Sequence, residues 1–191
     1  MAKKLWGGRF KKKIDKDFEE FSKSIQYDYK LAEYDINHSI IHAIALKNSG
    51  ILKTGECKKI ILSLNAILQQ IGKGKFKPNQ ACEDIHTEIQ NRLEKDIGKL
   101  ALKMHTLRSR NDQIVFDAKW YCLDSGVHIA KLLVGLSASL KFLAKKYPSS
   151  FMVGYTHTQK AQVVKLSDYI SAFSGMFFRD STRLMKFIDG I

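Results

Sequence analysis

Apolar residues recur along the chain at helical intervals in several stretches long enough to form elements. From about residue 31 to 47, Leu31, Tyr34, Ile41, Ile44 and Ala45 keep such a spacing, which predicts a helix, and Gly50 follows where a helix C-terminus favours glycine. Ile60, Leu64, Ile67, Leu68 and Ile71 mark one face of a second helix over about 55–71, ended by Gly72 and Gly74. After the Pro78-Asn79 loop, Ile85, Ile89 and Leu93 recur every four residues as the buried stripe of a helix near 83–97, stopped by Gly98. The segment 103–113 is polar. A helical pattern then runs without proline from about 113 to 146, with Val115, Cys122, Ile129, Leu136 and Leu143 spaced by sevens and Leu133 and Leu140 completing an a/d-like seam. Tyr147-Pro148 ends it, Phe151–Thr158 reads as irregular, and a last helix is predicted from about Gln162 to Ile188.

Ahead of these, residues 1–28 read as an arm that packs on something. It opens on Leu5-Trp6-Gly7-Gly8-Arg9-Phe10 and continues into the amphipathic run Phe18, Phe21, Ile25. No internal repeat or sustained strand alternation interrupts the pattern, and Gly72-Lys73-Gly74-Lys75 lacks the spacing and hydroxyl of a phosphate loop. The fold class predicted is all-α, with an N-terminal helical domain over 1–111 and the beginning of a helical bundle over 112–191.

Composition narrows the function more than the fold. Two prolines and twelve glycines in 191 residues disfavour an all-β or low-complexity protein. Lys and Arg number 32 against 19 Asp and Glu, a formal charge of +13 that favours anionic partners without saying whether these are nucleic acid or a small polycarboxylate. Lysine runs such as Lys11-Lys12-Lys13 are ordinary solvated surface, and no basic helix face with interleaved aromatics supports nucleic acid. Cys57, Cys82 and Cys122 are odd in number and free of C-x-x-C spacing, so the chain suits a reducing compartment, without a disulfide framework or zinc finger. Lys131 and Lys141 interrupt the most apolar stretch, which argues against a membrane span, and the expected location is cytoplasmic.

Three polar clusters exceed what helix junctions require. In Glu83-Asp84-Ile85-His86-Thr87-Glu88, Ile85 faces the core, so His86 is turned to the edge between buried and wet faces; Asp84 is either an N-cap or part of a site, and no ligand spacing supports a metal. Thr106-Leu107-Arg108-Ser109-Arg110-Asn111-Asp112-Gln113 packs guanidinium, hydroxyl and amide groups at the start of the long helix. Free N–H groups and a partial positive charge there would receive carboxylates; the alternative is a capping Asn or Asp with two surface arginines. Gly154-Tyr155-Thr156-His157-Thr158-Gln159 sets a hydroxyl beside an imidazole in a break between helices, either for proton transfer or as a structural turn. His38 and His42 read as packing or surface histidines.

Together these strings, with Ser24-Ile25 and Asp28, resemble the argininosuccinate lyase family within the fumarase/aspartase superfamily of all-α lyases. The resemblance spreads over the whole chain and implies the N-terminal domain plus the first helices of the central bundle. It implies reversible β-elimination of argininosuccinate to arginine and fumarate, without cofactor or metal, in a cytoplasmic homotetramer whose sites gather loops from three subunits. By resemblance His157, with Thr156, is catalytic. Ser109, Arg110, Asn111 and Thr156 would hold the fumarate half, Ser24 and Asp28 the arginine half, and Asp84 and His86 a polar wall, with Thr106 and Arg108 also substrate-binding. The family's Gly-Ser-Ser…Met-Pro-x-Lys-x-Asn-Pro loop, whose serine is proposed as the base, is not among these residues.

Three positions depart from the family pattern. Leu107 stands where the family has glycine, placing a bulky side chain beside the carboxylate receptor, and Val153 and Val163 replace prolines around the Thr-His turn, which loosens it. These departures leave room for a catalytically silent relative with a structural or regulatory role. Another lyase of succinyl substrates, such as adenylosuccinate lyase, is a further alternative.

Overall fold

The computed structural model describes residues 15–191, so the Leu5–Phe10 string and the Lys11–Lys13 run lie outside the described residues. Two compact units divide at Ala118/Lys119. In the first, α1 spans Lys16–Phe21, capped by the Asp15 carboxylate, and α2 spans Ile25–Asp28. A 3-10 turn at Tyr29–Leu31 leads into α3 (Ala32–Asn48), followed by α4 (Thr54–Gly72), α5 (Ile85–Ile97) and a 3-10 segment at Gly98–His105. Helix α6 (Arg110–Lys146) begins in this unit and continues into the second.

Ile60, Leu64 and Ile67 of α4 and Ile85, Ile89 and Leu93 of α5 are buried together, as their spacing predicts. In α3 the buried face is Ala32, Asp35, Ile36, Ser39, Ala43 and Leu46, whereas Ile41 and Ile44 are 54% and 39% exposed. Hydrophobic periodicity chose the wrong face there, because Asp35 and Ser39 point inward to bind Arg108. Apolar pattern alone cannot register a buried polar pairing.

The second unit corrects the sequence reading twice. Phe151–Thr156 and Gln159–Lys165 form an antiparallel hairpin, β1 and β2, and α7 starts at Leu166 rather than near Gln162. The chain remains an all-α helical protein with this one small sheet. The hairpin was missed because its turn is His157-Thr158, with φ of 52° and 62°, rather than the glycine-bearing pair that signals such a turn. Val153 and Val163 are direct cross-strand partners, so the two valines strengthen the hairpin instead of loosening it. The pairing is irregular between Val153 and Tyr155, and a side chain at the intervening Gly154 would stand 3.2 Å from the Gln162 carbonyl.

Of the predicted aliphatic seam of α6, Leu133 and Leu140 are half-buried, but the row spaced by sevens is not its contact with α7 (Leu166–Ile188). Val115 in the first unit and Ile129, Leu136 and Leu143 in the second are all at least 39% exposed. In the second unit the buried residues of α6 are small, Gly126, Ala130, Ser137 and Ala144, while those of α7 are Ile170, Ser174, Ser181 and Ile188, with Ile188 against Gly126 and Ser174 against Ser137. Ser137 and Ser174 each donate to the other's backbone carbonyl, at 3.0 and 2.9 Å, so the helices meet backbone to backbone. By length and composition α6 is also apolar enough to cross a membrane, its most apolar 18 residues averaging a mean hydropathy of 1.5. Charges as sparse as Lys131 and Lys141 do not exclude a span as the sequence reading supposed.

Candidate active site

Helix α5 starts at an acid that serves two partners. The Asp84 carboxylate accepts the Thr87 N–H at 2.7 Å, capping the helix, and receives Arg110 Nη2 at 2.6 and 2.7 Å. The same Nη2 lies 2.9 Å from Thr87 Oγ1. Arg110 is the first residue of α6, and its predecessor Ser109 caps that helix by accepting the Asn111 N–H at 3.2 Å. The cap is therefore Ser109, not the Asn or Asp weighed from sequence, and the helix opens three residues earlier than its periodicity suggested. Burial pushes the Asp84 pKa up, but the Arg110 charge and the Thr87 hydrogen bonds outweigh it and hold it below the ordinary value.

Ser24 and Asp28 join the same corner. Ser24 Oγ donates to Asp28 Oδ2 at 2.6 Å, Asp28 Oδ1 accepts the Ile85 N–H at 3.1 Å, and the Ser24 N–H donates to the Glu83 carbonyl at 2.8 Å. Burial raises the Asp28 pKa against the opposing Ser24 hydrogen bond. Beside this corner lies a cleft of about 390 Å³ lined by Glu83, Asp84, Thr87, His105, Arg108, Arg110, Gln113 and Ile114. The Arg110 guanidinium and a helix N-terminus on one wall suit it to a carboxylate.

Arg108 is engaged behind the cleft, donating to Ser39 Oγ at 2.9 Å and lying 3.4 Å from Asp35 Oδ1. Thr106 is half-buried and lends its carbonyl to His42 Nε2 at 3.0 Å, while Asn111 is exposed at the helix start. Leu107 is 84% exposed and does not line the cleft, so it does not crowd the receptor; its departure from glycine is a backbone matter, since φ is 56°. Thr156 and His157 are exposed at the tip of the hairpin in the second unit.

His86 is not at a wet edge. It is 3% exposed, its Nδ1 lying 3.4 Å from Asp35 Oδ1 and 3.6 Å from Asp117 Oδ2. His38, read from sequence as packing or surface, binds Asp117 Oδ1 through Nδ1 at 2.8 Å. Asp35, His86 and Asp117 present ligand-type atoms within 4.8 Å of one another, a grouping from three helices that no local spacing could show. The Arg108 guanidinium and the Gln113 amide already serve Asp35, so the arrangement is that of an ion-pair network. Sequence reasoning passed over Asp35, Asp117 and His105; the signal it had was a charged residue inside an otherwise apolar helix.

A family model described as "Lyase" matches residues 8–191. The chain belongs to this lyase family. Argininosuccinate lyase of Desulforamulus reducens is 41% identical over 181 residues, covering 95% of this chain and 39% of that protein. The enzymes named argininosuccinate lyase from Heliobacterium mobile and Legionella pneumophila are each 42% identical over 185 residues, covering 97% and 96% of this chain and 40% and 45% of their own lengths. The resemblance read from the motifs is borne out, and the chain spans 39% to 45% of the length of these relatives. A solved variant of EDDS lyase with bound fumarate aligns at TM-score 0.68 and 22% identity, over 89% of this chain and 33% of that one; at that identity the likeness speaks for the fold.

Proposed function

We propose that the chain supplies the substrate-receiving share of an argininosuccinate lyase, a carbon–nitrogen lyase that reversibly splits argininosuccinate into arginine and fumarate. In this elimination a base removes the proton from the carbon beside a carboxylate, the bond to the guanidino nitrogen breaks, and an acid returns a proton to that nitrogen. The observation that carries the reading is Arg110, held by Asp84 and Thr87 at the edge of the cleft with its Nε and Nη1 uncommitted in these contacts. Its motif stands in a chain whose relatives bear this enzyme's name.

In this reading Arg110, Ser109 and Asn111 receive the fumarate carboxylates, where donors stabilise charge building on the carbanion. Ser24 and Asp28 take the cationic arginine end, and Thr106 and Arg108 shape the segment that carries the receptor. Asp84 forms the polar wall, with His86 buried behind it rather than on it. In the assembled homotetramer, whose sites by resemblance gather loops from three subunits, the Thr156 of one copy adds a donor to a fumarate half and His157 beside it moves a proton. The complete enzyme works as a soluble, cytoplasmic homotetramer.

Fumarate titrated into the ¹⁵N-labelled chain tests this. Saturable shifts are expected at the backbone amides of Thr87 and Ser109–Asn111, absent with neutral fumaramide and abolished by Arg110→Ala. Shifts that avoid the cleft, or that survive Arg110→Ala, overturn the assignment of the site.

A further inference from the structure

Asp35, His86, Asp117 and Arg108 form a buried charge cluster behind the cleft, and its charges do not balance without a proton. Asp35 and Asp117 are 1% and 0% exposed, and Arg108 is the guanidinium within reach of the pair. One negative charge is left over, and an uncompensated buried charge is costly. The proton that offsets it could sit on Asp117 itself, whose pKa burial raises, or on one of two imidazoles. His38 Nδ1 faces both Asp117 Oδ1 and, at 3.3 Å, the Arg108 Nη2 donor, so added charge there meets a guanidinium. His86 Nδ1 faces one oxygen from each carboxylate, at 3.4 and 3.6 Å, without a satisfied hydrogen bond to either.

We propose that His86, carrying a proton shared between Asp35 of α3 and Asp117 of α6, is a positioning residue that clamps the first turn of α5 against the start of α6 and so presents Arg110 to the cleft. His86 lies two residues beyond Asp84, the acid that grips Arg110, and Asp117 lies two turns along the helix that Arg110 opens. With the proton, both carboxylates are drawn to one imidazolium and the two helix starts are locked. Without it, two carboxylates within 4.8 Å repel across that junction. The reading deepens the proposed site, since Asp84 and Arg110 belong to it, but it concerns only the geometry of this chain.

The groups facing His86 set its titration. From α3 these are Asp35 and His38; from the segment leading into α6 and from α6 itself, His105, Arg108, Arg110 and Asp117; from the α2 corner and its own helix start, Asp28 and Asp84. Burial lowers the His86 pKa, but the close approach and negative charge of the Asp35 carboxylate outweigh burial and raise it overall, despite opposition from Arg110. His42 and His105 shift downward, chiefly through burial, and so respond in the opposite sense. A difference between wild type and a His86 variant isolates the clamp from them.

Long-range ¹H–¹⁵N spectra of the chain from about pH 4 to about pH 9, spanning the free histidine value of about 6.5, test the proposal. The His86 ring is expected to stay imidazolium above that free value, and the Arg110 Nε–H signal, distinct from that of exposed Arg183, to change with the same midpoint. His86→Asn removes this pH dependence and moves the Arg110 signal toward that of Arg183. Asp117→Asn, which keeps an oxygen for His38, lowers both midpoints together and serves if His86→Asn fails to fold. A neutral His86 throughout, or an Arg110 signal indifferent to its titration, overturns the proposal. Fumarate takes no part, so failure of the lyase reading is seen separately.

Discussion

Leu107 carries φ of 56° on the turn before α6, a left-handed conformation that costs an ordinary L-residue about 1–2 kcal/mol and glycine little. Its side chain is 84% exposed and gains little packing in return. Leu107→Gly is therefore expected to raise thermal stability by about 0.5–1 kcal/mol after the added chain entropy of glycine is subtracted. The measurement is the melting temperature of the chain, and a fall would mean that Leu107 makes contacts that outweigh its strain. At this scale the motif residues were legible as types, but their directions were not. Arg108 and Arg110 are two positions apart, and one turns to Asp35 in the interior while the other turns to Asp84 at the cleft.

In the second unit the buried row of α6, Ala130, Ser137 and Ala144, is spaced by sevens, as is Ser174, Ser181 and Ile188 of α7, so the heptad period recurs with small residues on the α6 side. Close approach is what lets the Ser137 and Ser174 hydroxyls reach each other's carbonyls. Ser137→Leu replaces a 3% exposed hydroxyl by a side chain with no space, so overpacking of about 1–3 kcal/mol adds to about 1 kcal/mol for each lost hydrogen bond. Unfolding followed by urea should show a lower midpoint for this variant and only a small loss for Ser139→Leu, whose hydroxyl is exposed and bonds its own helix. Equal losses would place the seam elsewhere.

At the scale of the whole molecule, most of the large apolar side chains that periodicity singled out on α6 are exposed among the described residues. Ile129 is 47% exposed, Leu136 43% and Leu143 39%, joined on α7 by Phe178 at 54% and Phe187 at 57%. Apolar surface on this scale is an association surface. Sedimentation velocity is expected to show concentration-dependent assembly, reduced by Leu136→Glu together with Leu143→Glu; a strictly monomeric chain over a wide concentration range would refute it.

The sequence by itself determined the helices of α4 and α5 and their buried stripes, the anion-receiving character of the Arg108–Gln113 string and the membership in the lyase family. Each is written in local spacing or in a contiguous motif. Tertiary structure decided the rest: which face of α3 is buried, that His86 lies inside between two carboxylates, and that Val153 and Val163 pair across a hairpin. Those outcomes depend on partners far apart in the chain, such as Asp35 and Gln113, or His38 and Asp117. A buried polar residue is stabilised by the group it meets, and no local pattern records which group that will be.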